Sequence, residues 1–306
     1  MAADDADTTR TDQLTFQNPV TRYPEITPPE QVQAEPGLQA EMTPKPDIGE
    51  FSYRGTGRLE GRRALVTGGD SGIGAAVAVA FAREGADVAI SYLPEEEKDA
   101  DEVVRIITES GRRAVKLPGD LTDPALCSGI VERTVAELGG LDILVNNAAK
   151  QIANDSLEET PDEQIVQTFE ANVLATFRVT KAALPHLPPG SAIINSTSVV
   201  AYQPPPPLLD YASTKAAINN FTKGLAQELA PKGIRVNAVA PGPIWTPLQP
   251  SHGQPVEDLP EFGKSTPLGR AGQPTELAPA YVFLASPESS YVLGETLAVT
   301  GGMPTP

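Results

Sequence analysis

The sequence has 306 residues, a formal net charge of −17 and a single cysteine, Cys127. The acidic balance argues against nucleic acid or an anionic membrane surface as the main partner, because both are bound by clustered lysine and arginine. One cysteine excludes an internal disulfide, no apolar run approaches the roughly 20 residues of a membrane span, and the acidic start lacks a secretory signal, so we expect a cytoplasmic protein.

Residues 1–50 differ in composition from the rest of the chain. They are rich in Pro, Glu, Gln and Thr and hold few periodic apolar positions, as in TPPEQVQAEPGLQAEMTPKPDIG. Such a segment buries too little apolar surface to offset the entropy that it loses on ordering. We expect its first dozen residues to be disordered. The rest is either a disordered tail or an extended arm, laid on its own subunit or a neighbour and held by Phe16, Tyr23, Leu38 and Met42.

From residue 58 onward, short apolar runs alternate with longer amphipathic stretches. The predicted strands are RRALVTGG (62–69), DVAISY (87–92), RAVKLPGD (113–120), LDILVNNA (141–148), SAIINSTS (191–198), IRVNAVAPG (234–242) and TLAVTGG (296–302). Strands that are apolar on both faces and separated by helices imply parallel βαβ units. We therefore predict an α/β protein in which residues 51–306 form one doubly wound Rossmann fold, a seven-stranded parallel sheet with helices on both faces.

The first predicted strand runs into TGGDSGIG, which places Gly68, Gly72 and Gly74 at a corner between strand and helix. Glycines there permit a tight turn and let backbone N–H groups approach a pyrophosphate at the start of the helix. A glycine triplet alone usually marks a structural turn. This one opens a helix after the first strand of a βαβ series, and it therefore predicts a dinucleotide site.

The end of the second strand indicates which adenosine ribose such a site accepts. An acidic residue there would bind a 2′-hydroxyl and repel a 2′-phosphate. The expected position is Tyr92, between Ser91 and Leu93, so the usual barrier to NADP is missing. Yet no Arg or Lys is placed to pair with a 2′-phosphate, and Asp70 and the acids at 95–97 lie nearby. NAD and NADP both stay open.

The stretch DYASTKAA, residues 210–217, places Tyr211 four residues before Lys215. On a helix this spacing puts both side chains on one face about one turn apart. Such a pair is usually an accident of packing. Beside a nucleotide site it can be an acid–base centre, because the Lys215 ammonium and an oxidised nicotinamide would favour the phenolate. We expect both charges to lower the phenol pKa from its ordinary value of about 10.

The motifs TGGDSGIG, DILVNNAA and YASTK follow one another at element ends, and over residues 58–302 the chain resembles the short-chain dehydrogenase/reductase family. The N-terminal arm and the runs AYQPPPPLLDYASTKAA and APGPIWTPLQ look most like a bacterial subgroup related to general stress proteins and glucose-dehydrogenase-like enzymes. The resemblance implies an NAD(P)-dependent oxidoreductase acting on a small alcohol or carbonyl compound, such as a ketone, an aldehyde or a sugar-like substrate. It also implies a homotetramer that pairs through the helices bearing Asn172 and Tyr211 and through the last strand.

The family's catalytic tetrad of asparagine, serine, tyrosine and lysine matches Asn172, Ser198, Tyr211 and Lys215. The serine is found by counting back thirteen residues from Tyr211, with Ser196 as the alternative if the register slips. The resemblance implies that Ser198 stabilises the substrate oxygen and that Lys215 also binds the nicotinamide ribose. Asn172 would hold a water that returns the proton from solvent.

The glycine turn and the resemblance together assign the cofactor contacts. They are Gly68, Asp70, Ser71, Gly72, Ile73, Gly74, Tyr92, Asp120, Leu121, Asn147, Ala148, Tyr211, Lys215, Pro241, Gly242, Ile244 and Thr246. Asp120 would contact the adenine, and Ile244 and Thr246 the nicotinamide carboxamide. One departure is NNAA where the family usually has NNAG, and we interpret Ala149 as a tolerated variation.

Residues 245–269 form a long segment rich in Pro and Gly, which we predict to be a substrate loop. Trp245, Leu248 and Phe262 could close over a substrate. No His, Cys or carboxylate group shows the spacing of metal ligands, so no metal is expected. One alternative is a dinucleotide-binding sensor or scaffold without turnover, which would typically lose the tyrosine or the lysine. Another is an epimerase or dehydratase, which usually has more than the about 60 residues that follow PGPIWT here.

Overall fold

The computed structural model of the protein describes residues 11–305, and a parallel β-sheet lies at its centre. The strands are β1 Arg63–Thr67, β2 Asp87–Tyr92, β3 Ala114–Pro118, β4 Ile143–Asn146, β5 Ala192–Ser196, β6 Arg235–Pro241 and β7 Thr296–Val299. Within the described residues these seven strands lie in the order β3-β2-β1-β4-β5-β6-β7, and every neighbouring pair is parallel. The predicted doubly wound sheet is confirmed. Its order reverses between β1 and β4, and a crevice is expected there outside the carboxyl ends of the strands.

Helices cover both faces of the sheet. They are α1 Gly72–Arg83, α2 Glu97–Glu109, α3 Pro124–Leu138, α4 Asp162–Phe169, α5 Ala175–Ala183, α6 Leu209–Leu229 and α7 Pro274–Ala285. Side chains alternate between the two faces of each strand, so on β1 Ala64 and Val66 join the core under α1, α2 and α7, whereas Leu65 joins the core under α3, α5 and α6. This two-sided burial explains the uninterrupted apolar strands. No helix between residues 11 and 305 combines the length and the apolar character needed to cross a bilayer.

Residues 11–50 lie against the rest of the same chain. Of the four anchors expected for this arm, Met42 is buried, Leu38 and Tyr23 are half-buried, and Phe16 is fully exposed. Ile26 is a buried anchor that the sequence did not single out, and together with Met42 it packs on Trp245. In the described part the arm is therefore placed on its own subunit. The expectation of disorder falls largely on residues 1–10, which lie outside the described residues.

Candidate active site

The turn between β1 and α1 has the backbone geometry that the glycines predicted. Gly68 and Gly72 adopt φ angles of 62° and 50°, in the region that favours glycine. A Cβ atom on Gly68 would lie 3.0 Å from Cα of Ala148, and one on Gly74 would lie 1.8 Å from the carbonyl oxygen of Gly68. The turn therefore packs closely on the chain that follows β4, and larger residues would push the two segments apart.

A network of polar side chains fixes this turn against the neighbouring strands. The amide nitrogen of Asn147 donates to the carbonyl oxygens of Thr67 (3.2 Å) and Gly68 (3.1 Å), and its amide oxygen accepts from the hydroxyl of Ser196 (3.1 Å). Thr67 Oγ1 accepts from the backbone N–H groups of Asn147 (2.9 Å) and Ala148 (3.1 Å). Sequence reasoning missed Thr67, although a polar β-branched residue immediately before the glycine turn was a signal for it.

One buried and one half-buried carboxyl group, those of Asp70 and Glu96, lie beside the turn. Asp70 is 1% exposed, and among the described residues its Oδ2 atom has no hydrogen-bond partner. Burial raises the pKa of Asp70 to about 7, although a hydrogen bond from Ser71 opposes the rise. Burial, and next the charge of Asp70, raise the pKa of Glu96 to about 8. This corner therefore offers an unpaired acceptor but disfavours further negative charge.

The remaining predicted cofactor positions lie along the same edge of the sheet. The carboxyl ends of the strands, or the residues just after them, hold Tyr92 (β2), Asp120 and Leu121 (β3), Asn147 and Ala148 (β4), and Pro241, Gly242, Ile244 and Thr246 (β6). Ser71 and Ile73 stand at the start of α1. A Cβ atom on Gly72 would lie 3.0 Å from Cβ of Thr246, so the two sides of this edge meet there. The hydroxyl of Tyr92 already donates to Glu97, at 2.5 Å.

Helix α6 brings the predicted acid–base pair to the same edge. Tyr211 lies in its first turn and Lys215 one turn later, and both side chains are buried. The Lys215 ammonium nitrogen is 5.3 Å from the centre of the Tyr211 ring and donates to the carbonyl oxygen of Ser196 at 3.0 Å. The hydroxyl of Ser198 lies near enough to the Tyr211 phenol to favour its ionised form. These three side chains form one cluster.

The serine in this cluster is Ser198 and not Ser196. Ser196 ends β5, and its hydroxyl lies 2.6 Å from the hydroxyl of Tyr281 and also bonds Asn147. Ser198 follows the strand and caps a short 3₁₀ turn, with its oxygen accepting from the N–H of Val200. The counted spacing therefore leads to the serine that contacts Tyr211.

The expected lowering of the phenol pKa is not found in the protein alone. Burial raises the pKa of Tyr211 to about 12, partly opposed by the hydrogen bond from Ser198. Burial also lowers the pKa of Lys215 to about 8. The expectation concerned the complex with an oxidised nicotinamide and stays a prediction. In the protein alone, desolvation disfavours both charged forms.

Asn172 is linked to helix α6 through Thr214, three residues after Tyr211. It belongs to a π-helical turn, Glu170–Leu174, between α4 and α5, and such turns are frequent at functional sites. Its amide nitrogen donates to Thr214 Oγ1 (3.0 Å) and to the carbonyl oxygen of Lys150 (2.9 Å), and its amide oxygen accepts from the N–H of Lys150 (2.7 Å). The side chain therefore joins α6 to the segment after β4. Lys150, directly after NNAA, was not singled out.

The segment predicted as a substrate loop is only partly open. Trp245 is fully buried and donates to the carbonyl oxygen of Pro44 (2.7 Å), so the expectation that it closes over a substrate is wrong. Phe262 is half-buried and packs towards Trp245, with ring centres 6.3 Å apart. Residues 249–253 instead reach the chain after β4, where the N–H of Ala153 donates to the carbonyl oxygen of His252 (2.8 Å).

The comparison with protein families identifies this arrangement. The family described as enoyl-(acyl carrier protein) reductase matches residues 68–304, which span the glycine turn, the Ser198–Tyr211–Lys215 cluster and the segment after β6. The chain belongs to the short-chain dehydrogenase/reductase family. Proteins named as oxidoreductases are among its relatives, and this short-chain dehydrogenase/reductase is itself an oxidoreductase.

Its relatives match nearly the whole chain. The uncharacterized oxidoreductase YhxD of Bacillus subtilis is 59% identical over 94% of this chain and 97% of its own length. General stress protein 39 of the same organism is 50% identical over 92% and 98%, which confirms the resemblance to that subgroup. The NADPH-dependent aldehyde reductase 1 of Arabidopsis thaliana is 45% identical over 88% and 95%.

A solved structure shows the same fold. The short-chain dehydrogenase of Burkholderia cenocepacia J2315, crystallised in complex with NADP, superimposes with a TM-score of 0.74 at 38% identity. The match covers 98% of that chain but only 80% of this one. About a fifth of this short-chain dehydrogenase/reductase therefore lies beyond what that structure matches.

Proposed function

We propose that the protein transfers hydride between a nicotinamide dinucleotide, NAD or NADP, and a small alcohol or carbonyl compound. The observation that carries the proposal is the Ser198–Tyr211–Lys215 cluster, which lies after β5, the strand next to the point where the strand order reverses. The related aldehyde reductase and the NADP complex of the Burkholderia cenocepacia enzyme support the same chemistry.

The residues at this edge fit a dinucleotide. The glycine turn brings backbone N–H groups to the start of α1, where a pyrophosphate is stabilised. Asp70 supplies a buried carboxylate oxygen that has no hydrogen-bond partner between residues 11 and 305, which suits the hydroxyl of an adenosine ribose. Ile244 and Thr246 follow β6 on the opposite side and would hold the nicotinamide end. When bound, the nicotinamide supplies or accepts the hydride.

The protein's own residues move the proton. In alcohol oxidation Tyr211 accepts the hydroxyl proton as hydride leaves the neighbouring carbon, which turns the alcohol into a carbonyl compound. In reduction Tyr211 donates a proton to the carbonyl oxygen as hydride arrives at carbon. Ser198 donates a hydrogen bond to that oxygen and stabilises its developing charge. Lys215 stabilises the phenolate, and Asn172 orders the chain around it, where a water would restore the proton.

A cofactor-coupled screen tests the proposed function. Alcohols, polyols, aldoses, aldehydes and ketones are mixed with NAD and with NADP in both directions, and the absorbance of the reduced nicotinamide is followed. We expect turnover with at least one small alcohol or carbonyl compound. Binding of the dinucleotide without turnover of any substrate in the panel would instead support a sensor or scaffold.

The two serines provide a matched test of the site. Ser198→Ala is expected to lower kcat/KM by about 100-fold, because it removes one hydrogen bond to the developing oxyanion. Ser196→Ala removes a hydroxyl that bonds Tyr281 and Asn147, so we expect it to reduce stability and to change kcat/KM only several-fold. Steady-state kinetics on both variants show which serine matters more for turnover. A larger loss of kcat/KM in Ser196→Ala than in Ser198→Ala would exclude Ser198 as the catalytic serine.

We also propose that the protein is a homotetramer, as the resemblance implies. Large apolar side chains are exposed on the helices around Asn172, and others are exposed at β7. The first group is Val166, Phe169, Leu174 and Phe177, and the second is Tyr291, Leu293 and Leu297. Phe177 stacks on Phe221 of α6 with ring centres 4.0 Å apart, so the first patch spans two helices. Exposed apolar patches of this kind commonly mark interfaces.

Phe177→Asp is expected to convert the tetramer into dimers, because it places a charge in the apolar patch on α5 while the β7 patch stays intact. Sedimentation velocity measures the species present. Ala136→Asp adds the same charge at an exposed position of α3 and should leave the tetramer unchanged. A tetrameric Phe177→Asp variant would show that this patch is not an interface.

A further inference from the structure

Residues 33–42 of the arm, here called the strap, run along the segment that follows β6. The N–H of Gln33 donates to the carbonyl oxygen of Pro250 at 3.0 Å. A Cβ atom on Gly37 would lie 2.7 Å from the carbonyl oxygen of Pro247, so the strap contacts this segment directly. Pro247 follows Thr246, which places one end of the strap at the nicotinamide side of the proposed cofactor site.

The other end of the strap is held on the adenosine side. The N–H groups of Gln39 and Ala40 donate to the two carboxylate oxygens of Asp99, at 2.5 and 2.9 Å. Asp99 lies in the first turn of α2 and is 4% exposed. The strap therefore extends from the β6 side to α2, and the start of α1 lies between these two attachments.

One strap side chain contacts the glycine turn itself. The amide oxygen of Gln39 accepts from the backbone N–H of Gly72 at 2.9 Å. Gly72 is the first residue of α1, and the first N–H groups of a helix have no partner within the helix. The side-chain amide nitrogen of Gln39 shares its carbon with the oxygen that bonds Gly72. Its two N–H donors therefore also lie beside the glycine turn. Phosphate and ribose oxygens are suitable acceptors for them.

The strap also touches the segment next to the catalytic cluster. Glu35 forms an ion pair with Lys150, whose backbone is held by the side chain of Asn172. Both side chains are partly exposed, so this pair contributes little stability. The ion pair does show that the strap also contacts the segment after β4, in addition to α2 and the segment after β6.

We propose that the strap is an outer wall of the dinucleotide cleft and that Gln39 binds the cofactor directly, through its amide N–H groups, at an oxygen of the pyrophosphate or of the adjoining ribose. The inference rests on the proposed function and assigns to that site a residue outside the span that the family matches, residues 68–304. The strap therefore adds to the glycine turn a donor that the core fold does not supply.

Gln39→Glu separates cofactor binding from a purely structural role. Glutamate keeps an acceptor for the N–H of Gly72, and the favourable effect of a negative charge at a helix N-terminus opposes the repulsion from Asp70 and Asp99 nearby, so the thermal midpoint without cofactor should fall only slightly below that of the wild type. The same change removes both donors and places a carboxylate beside the phosphates. We expect the Kd for NAD+ and for NADP+, measured by isothermal titration calorimetry, to rise about tenfold to a hundredfold.

Gln39→Leu, which removes the donors without adding charge, is expected to raise Kd about tenfold. Gln13→Glu is the control in the same arm, because the side chain of Gln13 bonds the backbone N–H and C=O groups of Arg54, away from the glycine turn. The Kd of this variant for the dinucleotide should match that of the wild type. Unchanged or tighter binding of the dinucleotide in both Gln39 variants would overturn this inference but leave the proposed function standing. Tighter binding would mean that the strap competes with the cofactor. Wild-type protein that bound neither dinucleotide would overturn the proposed function and this inference with it.

Discussion

Replacing Tyr211 with phenylalanine is expected to lower kcat by about 1,000-fold while the Kd for the dinucleotide changes only a few-fold. The phenol oxygen is the proposed proton donor and acceptor, and a positioned acid–base group contributes about 10² to 10⁴ in rate. Tyr211 is buried, and phenylalanine fills nearly the same volume, so the helix should keep its packing. The coupled assay with a substrate from the screen measures kcat, and calorimetry measures Kd.

A second buried tyrosine provides the control for this change. Tyr281 on α7 is fully buried, and its hydroxyl also bonds a serine, Ser196, at the carboxyl end of β5. Tyr281→Phe therefore makes the same chemical change beside the same strand, and kcat should fall only several-fold. If Tyr211→Phe kept full turnover, or if the two variants were equally impaired, Tyr211 would not be the acid–base residue.

The pH dependence of turnover follows from the burial of this phenol. The pKa of Tyr211 is raised to about 12 in the protein alone, so almost no phenolate is present at neutral pH. Oxidation needs the phenolate, and the positive charge of an oxidised nicotinamide favours it. We therefore expect kcat for alcohol oxidation to increase as the pH rises towards the pKa of Tyr211 in the complex, and this increase should be absent in Tyr211→Phe.

The fold and the cluster could be predicted from the sequence because local features determine both. Uninterrupted apolar strands between helices require a parallel sheet covered on both faces, and the carboxyl ends of parallel strands meet at one edge. The glycine turn, the end of β5 and the start of α6 are then brought together by the topology. Ser198 was assigned from the resemblance, by the family's spacing of thirteen residues before the tyrosine, and it lies just after β5, two residues beyond its end.

The features that were missed depend on contacts between distant parts of the chain. The indole N–H of Trp245 donates to the carbonyl oxygen of Pro44, which lies 201 positions earlier in the chain. Nothing in the sequence near Trp245 indicates that partner. Gln39 likewise acquires its position only when the arm folds over α1 and α2. The raised pKa of Tyr211 is a consequence of complete desolvation, a property of the packed site that the spacing of Tyr211 and Lys215 does not contain.

Glu84→Gln is expected to lower the free energy of unfolding by about 3 kcal/mol, because it breaks the ion pair between a fully buried carboxylate and Arg58 and weakens the hydrogen bonds that this carboxylate accepts. Glu84 directly follows α1 and is fully buried. Its carboxylate accepts from the Tyr53 hydroxyl (2.8 Å), from Thr56 N–H (2.8 Å) and Oγ1 (3.1 Å), and from the Arg58 backbone (3.0 Å) and guanidinium (2.7 and 3.2 Å). Glutamine would present its N–H groups to some of these donors.

Glu109→Gln is the control for this change. Glu109 forms an ion pair with Arg105 at 2.5 Å on the exposed face of α2, and such surface pairs are worth about 0 to 1 kcal/mol. Urea unfolding at pH 7 should therefore separate the two variants clearly. Equal losses in both would mean that the Glu84 carboxylate contributes no more than a surface charge.

The pH dependence of stability gives an independent test of the same carboxylate. Burial alone would raise the pKa of Glu84, but the hydrogen bonds from Arg58 and Thr56 outweigh it and lower the pKa from 4.5 to about 2. A lowered pKa in the folded state means that the unfolded chain binds protons first, so this stabilisation is complete above about pH 5 and is lost as the pH falls towards 2. The shift corresponds to about 3 kcal/mol. The difference in unfolding free energy between wild type and Glu84→Gln should therefore shrink steadily from pH 5 to pH 3, and a constant difference over that interval would show that Glu84 titrates normally.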